Sequence, residues 1–106
     1  MGIIDLVRGN NLKLTITLVN QSIECDKVIF SVKENVDDTT ILIEKTLGNG
    51  VMIIDNFKYS VELIPEDSKK LDAEGYYLYE LVITRDKIVK TIASGKLHIL
   101  NNITEL

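Results

Sequence analysis

Apolar residues recur at every second position along most of this chain, and that spacing limits what it can fold into. Leu12, Leu14, Ile16 and Leu18 alternate with Lys13, Thr15 and Thr17. Val28, Phe30 and Val32 alternate with Lys27, Ser31 and Lys33, with Ile29 as an apolar intruder on the polar side. Phe57, Tyr59, Val61 and Leu63 alternate with Lys58, Ser60 and Glu62. Period two is the signature of a strand with one buried face. Further strands are expected over 39–46 around Ile41 and Ile43, over 51–54, over 76–84, over 88–94 and over 96–100. The single helical signal is Pro65 to Leu71: proline suits a first helical position, the acids Glu66 and Asp67 favour the N-terminal end, and Lys69 and Lys70 the C-terminal end. One or two turns are expected there. No segment is long enough for a helix that crosses over a parallel sheet. The pattern therefore predicts an all-β, antiparallel sandwich or small barrel of seven or eight strands, one domain spanning residues 1–106.

Turn chemistry refines this outline. Gly48-Asn49-Gly50 reads as a hairpin turn, Arg85-Asp86-Lys87 as a hairpin connection, and Gly95 as a bulge or bend. The expected core is Leu14, Ile16, Phe30, Val32, Ile43, Tyr59, Val61, Leu63, Leu71, Tyr79, Leu81 and Ile83. At 106 residues with 45% hydrophobic and 26% charged, such a core needs no disulfide or metal.

Sixteen acids face twelve scattered bases, a net charge of −4, which argues against nucleic acid as partner. The start, Met1 to Arg8, lacks the basic-then-apolar pattern of a secretory signal, and no apolar run approaches a membrane span. A protein made in the cytoplasm, with no membrane partner, is expected. The sequons at Asn20 and Asn102 then read as chance. The single cysteine, Cys25, lies between Glu24 and Asp26, whose charges disfavour a reactive thiolate.

Catalytic signatures are missing. His98 is the lone histidine, so one chain cannot supply an ordinary four-ligand zinc site. No nucleophile elbow, phosphate loop or calcium loop is present. Asp37-Asp38 and Glu66-Asp67 read as solvated loop acids. The sequence thus predicts no catalytic residue, no cofactor and no metal: a non-enzyme.

Leu63-Ile64-Pro65-Glu66-Asp67-Ser68-Lys69-Lys70-Leu71, followed by Gly75-Tyr76-Tyr77-Leu78-Tyr79-Glu80-Leu81, resembles the immunoglobulin-like module of phage tail and baseplate proteins, of the type found at the N-terminus of baseplate upper proteins. Val7-Arg8-Gly9-Asn10 and Val28 to Lys33 extend the similarity upstream. Ile88 to Leu97 and Ile103-Thr104 extend it downstream. The resemblance implies an immunoglobulin-like β-sandwich and a virion structural protein of the tail, baseplate or neck. Its partners would be other virion subunits, including copies of itself. A tyrosine corner, in which a hydroxyl caps backbone groups of the preceding turn, fits Tyr77, with Tyr76 as the alternative. The chain carries neither a disulfide pair nor tryptophan, unlike antibody-type domains. The competing reading is a module that binds sugars on a cell surface, using Tyr76.

Parity singles out one candidate interface. Leu78 and Val82 fall opposite the core face of their strand, beside Tyr76, and Val89 and Ala93 take the matching face of the next strand. Tyr76, Leu78, Val82, Val89 and Ala93 would form an apolar patch through which the protein self-associates or docks. The Ile3-Ile4 segment is an intramolecular alternative for covering it.

Overall fold

The computed structural model describes residues 3–17, 27–35, 37–55, 58–72 and 74–101. Leu18, Cys25, Phe57, Ile103, Thr104 and the sequons at Asn20 and Asn102 lie outside the described residues. The strands are β1 (Ile3–Val7), β2 (Leu12–Thr17), β3 (Lys27–Lys33), β4 (Ile43–Leu47), β5 (Gly50–Asp55), β6 (Lys58–Leu63), β7 (Tyr76–Arg85) and β8 (Ile88–Leu100). One turn of helix, α1 (Pro65–Ser68), joins β6 to β7. The strands run in the order β1-β8-β7-β3-β4-β5-β6-β2. The sequence of pairings doubles back on itself, so β3, β7 and β8 share one core with β5 and β6.

The alternation placed that core well. Phe30, Val32, Tyr59, Val61, Leu63, Leu71 and Leu81 are almost wholly shielded, and Ile43, Tyr79 and Ile83 nearly so. Leu14 and Ile16 are corrections: both are only half-buried, because β2 is the last strand of the order and, among the described residues, pairs on one edge alone.

Several boundaries also differ from expectation, each for a local reason. Residues 3–7 form a strand that pairs in parallel with β8, Ile3 opposite Lys96 and Val7 opposite Leu100. A five-residue parallel edge strand leaves little pattern to read. The strand expected from residue 39 begins at Ile43, and Ile41 is exposed. Gly48-Asn49-Gly50 makes the expected turn, with Thr46 and Asn49 exchanging backbone hydrogen bonds at 3.2 and 2.8 Å, but the flanking strands do not continue as an antiparallel hairpin. Positive φ falls on Gly48 (82°) and Gly50 (99°) but skips Asn49, whereas a two-residue type I′ hairpin needs two consecutive positive values. The chain is stepped sideways, and β4 and β5 pair in parallel at Thr46–Gly50 and Leu47–Val51. This step carries the chain from one layer to the other. Asp86 (50°) and Lys87 (68°) do have consecutive positive φ, and they close the β7–β8 hairpin.

The expected break at Gly95 is absent: β8 is continuous, and Gly95 sits in register opposite Tyr79. A Cβ on Gly95 would lie 2.7 Å from the Tyr79 hydroxyl, so the glycine makes room for that ring. The bulge lies three residues earlier. Leu81 pairs with Ala93 but Val82 with Thr91, leaving Ile92 as the extra residue.

A polar cluster fastens α1 to the sandwich. Arg8 donates from Nε to the Leu71 carbonyl and from Nη2 to that of Lys69, both at 2.9 Å. Gly9 donates its N–H to Ser68 Oγ (2.8 Å), and that hydroxyl donates to the Pro65 carbonyl (3.2 Å). Asp67 accepts the Ile64 N–H at 2.8 Å and meets Lys45 Nζ at 2.7 Å. Backbone groups at the end of the helical turn, the Lys69 and Leu71 carbonyls among them, thereby find protein partners.

Candidate interaction face

The outward side of β1, β8, β7 and β3 is built from cross-strand rows. Residues directly opposite one another in a sheet share a face. One row reads Lys33, Leu78, Lys96, Ile3; the next reads Ser31, Glu80, Ser94; a third reads Ile29, Val82, Thr91. At one end Tyr76 lies opposite His98, and His98 opposite Asp5; at the other, Thr84 lies opposite Val89. The first two rows enclose a groove of about 590 Å³, lined by Ile3, Leu78, Lys33, Lys96, Glu80 and Ser94 among others.

The structure brings four of the five expected interface residues to this face. Leu78 and Val82 are half-buried, while Tyr76 and Val89 are 56% and 66% exposed. Ala93 is the correction. The bulge at Ile92 reverses the parity of β8, so Ala93 faces inward opposite Leu81 and is buried. The patch is therefore not continuous: the Glu80 row separates Leu78 from Val82, and lysines flank Leu78. Ile3 lies in the same row as Leu78 but beyond Lys96, not over it, and Ile4 turns to the core, so the N-terminal strand borders the groove without closing it. Lys33, Lys96 and Glu80 were not singled out from sequence. Their place beside Leu78 follows from register, which no local pattern encodes.

At the Tyr76 end the rings of Tyr76 and His98 stack 4.3 Å apart at 5°. Asp5 Oδ1 lies 3.3 Å from His98 Nδ1, and Glu74 Oε2 lies 3.7 Å from Nε2. Tyr77 points the other way, is buried, and its hydroxyl accepts the Asp72 N–H at 2.8 Å. The corner hydrogen bond is thus made by Tyr77 and not by Tyr76, because a turn five residues back lies on the inward side of β7. The buried Tyr79 phenol is pushed above its usual range by loss of water.

Chemically this face offers packing, charge and one aromatic platform. Among the described residues, no group of three His, Cys, Asp or Glu side chains could hold a metal ion, and no helix is long and apolar enough to cross a membrane.

Comparison with known proteins defines the class of fold. No protein-family model and no curated protein matches the sequence. Solved structures do. The extracellular domain of mouse leukocyte-associated immunoglobulin-like receptor 1, described as a strand-swapped dimer, superposes with a TM-score of 0.53 at 9% identity, covering 93% of this chain and 87% of that one. The catalytic module of the pneumococcal glycogen-degrading virulence factor SpuA superposes with a TM-score of 0.53 at 18% identity over 79% of this chain. The match spans only 11% of that larger chain. Strand order, core and these superpositions define an immunoglobulin-like β-sandwich with one short helical turn.

Proposed function

We propose that this protein is a non-enzymatic structural protein of a phage virion, in the tail, baseplate or neck, that works by protein–protein contact. The virion reading rests on the resemblance of residues 63–81 and 88–97 to the phage module. The contact reading rests on one observation: half-buried Leu78 lies in an open groove across four strands, edged by Lys33 and Lys96, with half-buried Val82 on the same outward face beyond the Glu80 row. Apolar side chains with a charged rim are the composition of a protein interface. The occupant is a neighbouring subunit, including a second copy of this chain. Analytical ultracentrifugation and light scattering test the contact. The wild type should self-associate as concentration rises, and Leu78→Asp with Val82→Asp should abolish association while leaving the circular dichroism spectrum unchanged. A wild type that stays monomeric at millimolar concentration, and that does not sediment with tail particles, removes the proposal.

A second reading is favoured by Tyr76. An exposed ring stacked on His98, which the Asp5 and Glu74 carboxylates flank, is a platform for a sugar, the free side of the ring for its apolar face and the acids for its hydroxyls. Binding on a glycan array that is lost in Tyr76→Ala, but kept in the Leu78 and Val82 variant, would favour this reading over the first.

A further inference from the structure

We propose that the cleft between β2 and the β8–β1 edge accepts an extended segment of a partner polypeptide as an added strand. Three observations locate the site. First, β2 pairs with β6 alone, so among the described residues its other edge is unpaired. Second, β1 covers β8 only from Lys96 to Leu100, and among the described residues the preceding half of β8 also has an unpaired edge. Third, the inward residues of β2 are incompletely covered. Leu12, Leu14 and Ile16 are half-buried, whereas the residues opposite them on β6, Leu63, Val61 and Tyr59, have no exposure at all. Between the two edges lies a cleft of about 200 Å³, lined by Ile4, Leu14, Ile16, Tyr79, Ile92 and Ala93.

The shape of this gap selects its occupant. A free strand edge presents alternating N–H and C=O groups, and only water or another extended backbone matches them. The cleft presents apolar side chains from a period-two strand, so the incoming segment carries apolar residues at alternate positions. Lys13 is exposed on β2, and a charge on an edge strand discourages indiscriminate pairing. An acid opposite Lys13 turns that obstacle into selection. The chain already holds this solution on the other edge of β2, where Glu62 of β6 faces Lys13 and Tyr59, Val61 and Leu63 point inward. The cleft opens between the layers, not on the outer face of Leu78, so the proposal is independent of the contact reading above.

The probe is a synthetic hexapeptide of the β6 sequence, Lys-Tyr-Ser-Val-Glu-Leu, added to the intact protein. Amide hydrogen exchange across Leu12 to Thr17 is followed by NMR. In the free protein, the β2 amides that face away from β6 should exchange fast. Peptide should slow them by about tenfold at about 90% occupancy. The same peptide N-methylated at alternate residues should have no effect, because it cannot pair. Ile92→Lys should abolish the slowing while leaving exchange in β7 unchanged. The proposal is overturned if the outward amides are already as slow as those facing β6, if saturating peptide does not slow them, or if the N-methylated peptide works equally well.

Discussion

Lys45 provides the sharpest test of how this sandwich is held. It pairs with Phe30, so its side chain starts on the core side of β4. The stem passes Gly50, where a Cβ would lie 2.5 Å from Lys45 Cδ, and the ammonium reaches Asp67 Oδ2 at 2.7 Å. The two side chains are only 14% and 6% exposed. At that distance the attraction is about 6 kcal/mol for an effective dielectric of about 20. Desolvating each ion costs several kcal/mol, so the intact pair is close to neutral as a net contribution. Removing one partner is different, because the remaining charge keeps its desolvation cost without its counterion. Lys45→Met, which keeps the stem, should cost about 2–4 kcal/mol, below the upper range for buried pairs because Lys45 retains some water. Asp67→Asn should cost a similar amount. Combining them removes both charges, and the double variant should recover about 1.5–3 kcal/mol relative to the sum of the singles. Urea titration measures each value, and each kcal/mol should lower Tm by about 4–8 °C in a domain of this size. Single variants within about 0.5 kcal/mol of the wild type, with no coupling, would mean that the pair behaves as a solvated surface pair, and the reasoning would fail.

Other expectations follow from the same geometry. Tyr77→Phe leaves the Asp72 N–H without its acceptor and should cost about 1–3 kcal/mol in urea unfolding, while Tyr76→Phe should change nothing measurable. Gly95→Ala pushes a methyl into the Tyr79 ring and should cost about 1–3 kcal/mol; a stability equal to wild type would mean the ring moves freely. The Tyr79 phenol holds its proton more tightly folded than unfolded, so its contribution is complete below the unfolded value of 10.0 and is lost as pH rises through the folded value. Chemical denaturation between neutral and strongly alkaline pH should show stability falling above that point, and the fall should shrink in Tyr79→Phe.

What the sequence determined by itself was everything carried by short-range periodicity. Tyr59, Val61 and Leu63 could be assigned inward because a strand side chain has only two directions, and one of them had to be apolar. The single helical turn was legible from Pro65 and the acids after it, because capping acts within a few residues. Tyr77 was legible as the corner tyrosine only together with a turn upstream, and its choice over Tyr76 was made by which side of β7 faced Asp72. Ala93 shows where local pattern stops. Ile92 and Ala93 are adjacent and both apolar, so parity through them is ambiguous, and only the pairing of β8 with β7 decided that a bulge lies there. Long-range register likewise set Lys33 and Lys96 on either side of Leu78. The Lys45–Asp67 and Arg8–α1 contacts join segments more than twenty residues apart, and β1 found its place through a parallel pairing with the far end of the chain. Such contacts depend on which strands become neighbours, and that is settled when the two layers close over one core, not by any residue's immediate surroundings.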